Sequence, residues 1–184
     1  MRVEIRIGGF GGQGIIRTGL ILATASCVYG DKNAIQTASY GPESRGGRCR
    51  SEVIVSDEDI DFPKVEHPDI LVVMSQHAYL EYVDDLKENG LLIVDPDLVT
   101  NQKKNLKADI YEIPATKIAE GLGKKIVANV VMIGAIAAIV DLFDAEQLKE
   151  SIRNNVPKAF AELNLTGFEK GYEYGKALTK AKAS

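Results

Sequence analysis

A glycine-rich segment near the N-terminus has the composition and spacing of an anion-binding turn. Residues 9–14, Gly-Phe-Gly-Gly-Gln-Gly, fit the pattern G-x-G-x-x-G. Glycines allow a tight turn that brings the free N–H groups of a following helix close to a phosphate, and the helix dipole adds to the attraction. The pattern alone is weak, so a phosphate-type ligand and a purely structural turn both stay open.

A second segment, Ser39–Arg48, combines glycines with groups that bind anions. Arg45 could hold a carboxylate or phosphate through two parallel hydrogen bonds, and Glu43 could fix the shape of the loop. The alternative is that Glu43 and Arg45 form an ordinary surface ion pair that stiffens a solvated turn. Both interpretations remain open at this point.

The hydrophobic patterns around these loops predict an α/β fold. Val3, Ile5 and Ile7 alternate with polar residues before the first loop, and helical spacing of apolar residues follows it from Gly14. Further strands are predicted at 34–39, 49–55, 70–74, 91–94 and 110–113. The last three flank helical patterns, so we expect a three-layer α/β/α, Rossmann-like fold with a mostly parallel sheet.

This arrangement predicts that the two loops lie together, since loops that leave the C-terminal ends of parallel strands share one edge of the sheet. A dinucleotide-binding protein would also carry an acidic residue about 20 residues beyond the glycines, at the end of the second strand. That strand ends Thr37-Ala38-Ser39, so the acid is missing. The glycine pattern therefore does not specify NAD.

The C-terminal portion is helical, with segments predicted at 114–120, 126–142, 145–154 and 157–174. Gly134 would allow another element to pack closely on the second of these helices. No long linker divides the chain, so we predict a single domain over residues 1–175. Residues 176–184 form a basic tail that we expect to fray.

Composition excludes several classes of function. The 22 basic and 26 acidic residues give a net charge of −4, which argues against a nucleic-acid partner. Cys27 and Cys49 form no CxxC pair, so we expect no metal or iron-sulfur site in this chain alone. The most apolar stretch is shorter than the roughly 20 residues of a membrane span. With no leader pattern after Met1, we expect no membrane association and a cytoplasmic location.

Four ordered motifs resemble one protein family over nearly the whole chain. They are Gly8–Gly14, Ser39–Gly47, Pro68-Asp69 with the following strand to Gln76, and Asn129 with residues 131–135. Together they look like the gamma subunits of 2-oxoacid:ferredoxin (acceptor) oxidoreductases, closest to the 2-oxoglutarate-type enzyme. The pyruvate, branched-chain and indolepyruvate members are similar.

The resemblance implies a complex that converts a 2-oxoacid (2-oxoglutarate favoured, otherwise pyruvate) and coenzyme A to acyl-CoA, CO2 and reduced ferredoxin. Thiamine diphosphate and iron-sulfur clusters would be bound by partners: alpha and beta subunits, with a ferredoxin-like delta subunit as a further candidate. This chain would be non-catalytic and inactive alone. An exposed docking face would favour a homodimer when the chain is isolated.

The two loops are the candidate cofactor-binding and partner-binding surface, with no catalytic residue and no metal ligand. Its residues are Gly9, Gly11, Gly12, Gln13 and Gly14 in the first loop, and Ser39, Tyr40, Gly41, Glu43, Ser44, Arg45, Gly46 and Gly47 in the second. The alternative function is a stand-alone α/β protein that binds a phosphorylated ligand or a dinucleotide.

Overall fold

A six-stranded sheet forms the centre of the structure, a computed structural model that describes residues 1–41 and 46–183. The strand order is β2-β3-β1-β4-β5-β6. In chain order the strands are β1 (Arg2–Phe10), β2 (Asn33–Tyr40), β3 (Arg48–Ser56), β4 (Ile70–Val73), β5 (Gly90–Val94) and β6 (Ala108–Glu112). All the predicted strands are present, with ends shifted by up to three residues.

In the described part of the chain, six α-helices connect and cover the strands. They are α1 (Ile15–Thr24), α2 (Gln76–Tyr82), α3 (Ala115–Gly121), α4 (Ala128–Ile139), α5 (Ala145–Asn155) and α6 (Ala161–Ala183). α1 continues into a π-helical turn, Ala25–Tyr29, and short 3-10 turns precede α4 and α6. Among the helices of the described ranges, none is both long and apolar enough to cross a membrane.

Side-chain caps fix where two of these helices begin. Ser75 accepts a hydrogen bond from the N–H of Ala78, at 3.1 Å, and so starts α2 directly after β4. Asp144 accepts hydrogen bonds from the N–H groups of Glu146 and Gln147 and starts α5. Such caps satisfy helix N–H groups that otherwise have no partner.

The sheet is mostly parallel, as predicted, and β3 is its one exception. β1, β4, β5 and β6 pair in parallel, whereas β3 pairs antiparallel with both β1 and β2. β2 therefore runs parallel to β1 but is separated from it by β3. Both glycine-rich loops still leave the same edge of the sheet, because the C-terminal end of β2 lies beside the N-terminal end of β3.

The helices form two unequal layers on the sheet. α1, α3, α4, α5 and α6 pack on one face around the larger buried cluster, which includes Ile5, Ile93 and Phe168. On the other face, α2 and its following turn cover a smaller cluster that includes Leu71, Tyr79 and Leu92. Consecutive residues of β4 and β5 are buried in opposite clusters, which explains their continuous apolar sequences.

The C-terminal segment is helical in the structure, where residues 176–183 continue α6. Fraying of residues 176–184 stays a prediction. The Lys182 ammonium forms an ion pair with Asp109, donates to the backbone oxygen of Ile110 at 2.8 Å and lies over the Tyr111 ring. These contacts with β6 hold the last turns of α6, and a basic composition alone could not reveal them.

Candidate functional site

The first glycine-rich loop turns sharply into α1 through left-handed backbone. Gly12 has φ 93° and Gly14, directly before α1, has φ 75°. A side chain at Gly14 would also lie 2.6 Å from the amide nitrogen of Asn129. Glycine is therefore required at Gly14 by backbone conformation and by the close approach of α4.

Gln13 fixes the shape of this loop. Its Oε1 accepts a hydrogen bond from the Phe10 N–H at 2.7 Å, and its Nε2 donates to the Met74 carbonyl oxygen at 2.6 Å. Gln13 thus joins the end of β1 to the end of β4. Both the oxygen and the nitrogen of its amide are hydrogen-bonded within the chain, so the Gln13 side chain stabilises the loop rather than binding a ligand.

The two predicted loops do come together. The Gly11 N–H donates to the Gly47 carbonyl oxygen at 2.7 Å, and a Cβ on Gly11 would lie 3.2 Å from the Gly46 nitrogen. Gly46 has φ 68°, a conformation that glycine tolerates. Of the predicted second-loop residues, Glu43, Ser44 and Arg45 lie outside the described residues.

A cavity of about 760 Å³ opens beside the joined loops. It lies between the first loop, α1 and the chain segments that lead into α4 and α6. Its size is that of a small-molecule or cofactor site. Most of its wall is apolar and includes Ile16, Leu20, Val127, Phe160 and Leu163.

A few polar groups line the same cavity. Asn129 is only 4% exposed, and its side-chain amide forms no hydrogen bond with any residue in the described ranges. Arg17 and Lys124 line the cavity as exposed cations and have no ion-pair partner among residues 1–41 and 46–183. The Asn129 amide and these two cations, which have no ion-pair partner in the described ranges, are groups that a polar or anionic ligand in the cavity could bind.

Cys49 also lines the cavity but is not activated. It is 6% exposed, and burial raises the pKa of its thiol. Its neighbour Arg50 lies on the opposite face of the sheet, over the Tyr82 ring and 3.6 Å from Glu52. Strand alternation thus keeps the nearby positive charge away from the sulfur.

Sequence patterns missed a buried charge cluster on that opposite face. Arg6 is 3% exposed; its Nε donates to Glu52 at 2.8 Å, and its other nitrogens bind Asp85 and the Val65 carbonyl oxygen. The alternation in β1 places Arg6 away from the main core, which normally indicates solvent. Arg6 is nevertheless buried, by the segment between β3 and β4, whose irregular sequence gives no sign of its path, and by Tyr82 and Asp85 at the end of α2 and in the turn after it.

Other candidate ligands are dispersed. The Nδ1 of His67 lies 3.2 Å from the Asp85 carbonyl oxygen, to which it can donate, and His77 lies 3.3 Å from Glu81 and stacks on Phe10. Within the part of the chain that the structure describes, no group of three or more His, Cys, Asp or Glu side chains could hold a metal ion.

Comparison with known proteins assigns the family. The model of the family "Pyruvate ferredoxin/flavodoxin oxidoreductase" matches residues 4–174. The 2-oxoglutarate synthase subunit KorC of Methanocaldococcus jannaschii is 52% identical, over 97% of this chain and 96% of that protein. The pyruvate synthase subunit PorC of Methanothermobacter marburgensis is 34% identical, over 93% of this chain and 96% of that protein.

A solved structure agrees with the fold. The gamma subunit of a keto/oxoacid ferredoxin oxidoreductase from Geobacter sulfurreducens superimposes with a TM-score of 0.86 at 39% identity, covering 96% of this chain and 98% of that one. The resemblance inferred from the four motifs is therefore confirmed. The chain belongs to the pyruvate ferredoxin/flavodoxin oxidoreductase family.

Proposed function

We propose that this chain is the gamma subunit of a cytoplasmic 2-oxoglutarate:ferredoxin oxidoreductase. The observation that carries the choice of substrate is the 52% identity to a 2-oxoglutarate synthase subunit across both whole chains, against 34% to a pyruvate synthase subunit. Alpha and beta subunits with thiamine diphosphate, and iron-sulfur clusters held by partners, would carry out oxidative decarboxylation. This subunit would contribute no catalytic residue.

The cavity and the joined loops suit one participant in that reaction, coenzyme A. Its phosphates would be held by Arg17, Lys124 and the N–H groups of the first loop, where a helix begins. The apolar wall would shield the less polar parts of the molecule, and Asn129 would supply a hydrogen-bonding group. Arg45 and Glu43 are retained in this proposal as further contacts from the second loop.

Reconstitution tests the subunit assignment. The chain is co-expressed with the alpha, beta and ferredoxin-like subunits of the same genome, and dye reduction that depends on oxoacid and coenzyme A is measured. We expect kcat/KM for 2-oxoglutarate to exceed that for pyruvate by about tenfold or more, and the isolated chain to be inactive. Equal or better use of pyruvate, or full activity without this chain, contradicts the proposal.

A pair of adjacent lysines tests the coenzyme A contact. Lys124 lines the cavity, whereas Lys125 does not line it and lies 3.4 Å from Glu120. In the reconstituted complex we expect Lys124→Ala and Arg17→Ala each to raise KM for coenzyme A about three- to tenfold at nearly constant kcat, because each removes a charge-assisted contact. Lys125→Ala should leave KM unchanged. Equal effects of the two lysine variants would argue against a cavity contact.

A further inference from the structure

β2 is the outer strand of the sheet, and half of its backbone groups face away from the molecule. The Gly41 N–H donates to the Arg48 carbonyl oxygen, at 2.7 Å, so position 41 faces β3. The N–H and C=O groups of successive residues in a strand point to opposite sides. Those of positions 33, 35, 37 and 39 therefore face β3 as well. Ala34, Gln36, Ala38 and Tyr40 therefore point their N–H and C=O groups outward.

Two hydrogen bonds of β3 support this assignment. The Gly47 carbonyl oxygen accepts from Gly11, and the Asp57 N–H donates to Met1, so odd positions of β3 face β1 and even positions face β2. Thr37 pairs with Glu52, so an odd position of β2 again lies opposite an even position of β3. None of the four outward N–H groups is hydrogen-bonded to another residue of the described ranges.

Among the described residues, β2 lacks the sequence features that usually protect an open edge. Its eight residues, Asn33–Tyr40, include no charged residue and no proline. Both faces are exposed from Thr37 to Tyr40, and Tyr40 itself is 72% exposed. Native edge strands are commonly blocked by lysine, proline, bulges or a covering loop. A regular, neutral strand of this length is instead a template for another strand.

A second copy of β2 is the occupant that fits. Antiparallel pairing of two identical strands about a twofold axis near Thr37 places Ala34 opposite Tyr40 and Gln36 opposite Ala38. In both of these pairs the backbone groups of the two residues face outward and can bond to each other, and no charges meet within the paired strands. Leu20 of α1, 43% exposed, and Tyr40 add apolar surface beside the strand.

We propose that β2 pairs with β2 of a second copy of this chain, extending the sheet across a twofold axis when no other subunit covers that edge. Seven paired residues, 34–40, span about 24 Å. We expect a single strand pair of this length to bury less than the about 1,200 Å² of total area that is typical of stable complexes. The dimer should therefore dissociate on dilution in the micromolar range. This inference does not depend on the oxoacid or on coenzyme A.

Amide hydrogen exchange provides the sharpest test. In a concentrated sample of the isolated chain, the amides of Ala34, Gln36, Ala38 and Tyr40 should be protected, and dilution should remove their protection. The amides of Ile35, Thr37 and Ser39, which face β3, should stay protected at both concentrations. A dimer formed through a helix face would not produce this alternation. Sedimentation velocity over the same concentrations should show conversion from dimer to monomer.

Substitutions at Ala38 separate strand pairing from folding. Ala38→Pro removes an outward N–H without removing a bond to β3, and should weaken the dimer about tenfold or more. Ala38→Lys keeps every N–H but adds an edge charge, and should also weaken it. Ala38→Ser is the matched control and should dimerise normally. Circular dichroism checks that each variant is folded.

Three outcomes overturn the proposal. One is a wild-type chain that stays monomeric at about 100 µM, well above the micromolar range in which a small interface dissociates. A second is a dimer that Ala38→Pro and Ala38→Lys leave intact. The third is a monomeric chain whose assembly with sister subunits is blocked by Ala38→Pro, which would assign the edge to a strand of another subunit.

Discussion

Asp95 is the residue that fastens the end of β5 to the start of α3. Its carboxylate is fully buried and accepts hydrogen bonds from the N–H and the hydroxyl of Thr116, at 2.8 and 2.6 Å, and from the Asp97 N–H at 3.1 Å. Removing the carboxylate leaves these donors without a partner in the interior.

We therefore expect Asp95→Ala to lower the free energy of unfolding by about 2–4 kcal/mol. Urea denaturation followed by circular dichroism measures this change. Asp97 is exposed two residues away, and Asp97→Ala should change stability by less than about 0.5 kcal/mol. Similar losses in the two variants would show that Asp95 has no special role.

Tyr82 should make stability depend on pH in the alkaline range. Burial, followed by the hydrogen bond and the charge of Glu81, raises the pKa of Tyr82 to about 12, from an ordinary value of 10.0. The native state then keeps a proton that the unfolded state loses. The stabilisation is present below pH 10 and is lost as pH rises towards 12.

The difference in unfolding free energy between the wild type and Tyr82→Phe should therefore be constant up to about pH 10, close to the unperturbed tyrosine pKa. Above that pH the wild type should lose stability relative to Tyr82→Phe. Ultraviolet titration of the tyrosines should show a late step near the pKa of Tyr82, and Tyr82→Phe should abolish it. A difference that stays constant through pH 12 would contradict the shift.

At this scale, the sequence revealed residues whose role is local. The glycines and their junction with α1 could be predicted because backbone turns have sequence signatures. The roles of Arg6 and Asn129 could not, since each depends on a distant segment: the chain around Val65 for Arg6, and the glycine loop for Asn129. Glu43, Ser44 and Arg45 stay predictions.

α4 and α6 pack with their backbones almost in contact. A Cβ on Gly171 of α6 would overlap the carbonyl oxygen of Val131, and a Cβ on Gly134 of α4 would overlap that of Phe168. The close approach that the sequence suggested at Gly134 is therefore present. Backbone atoms cannot move aside as a flexible side chain can.

We expect Gly171→Ala to destabilise the protein by about 3 kcal/mol or more, as an overpacked core residue whose helices must separate. Gly167 lies one turn earlier on α6, and a Cβ there would make an ordinary contact of 3.5 Å with Val131. Gly167→Ala should be neutral or stabilising by up to about 1 kcal/mol, because alanine favours a helix. Equal destabilisation in thermal unfolding would refute the close packing.

The sequence predicted the elements better than their pairing. Hydrophobic periodicity located each strand, but it gave no sign that β3 lies between β1 and β2. Only seven residues, 41–47, connect β2 and β3. A parallel crossover needs a dozen residues or more, so this short connection already implied an antiparallel pair. The position of β3 between β1 and β2 depends on pairing between residues that are distant in the sequence, and no local sequence pattern indicates such pairing.

At the scale of the whole molecule, residues 1–41 and 46–183 form two hydrophobic clusters on opposite faces of one sheet. Leu92 and Ile93 are consecutive residues of β5 and are both fully buried. Leu92 belongs to the cluster under α2, and Ile93 belongs to the larger cluster under the other five helices. Because the same strands form the floor of both clusters, loss of packing on one face should weaken the sheet that the other face requires.

Leu92→Ala and Ile93→Ala should therefore each lower the free energy of unfolding by about 2–5 kcal/mol, the usual cost of a large-to-small change in a core. Each variant should still unfold in one transition, seen at the same urea concentration by circular dichroism and by tyrosine fluorescence. This result would support the single domain predicted for residues 1–175. If Leu92→Ala instead melted the α2 face first, and left the larger cluster folded at higher urea, the two faces would be independent units and the single-domain prediction would be wrong.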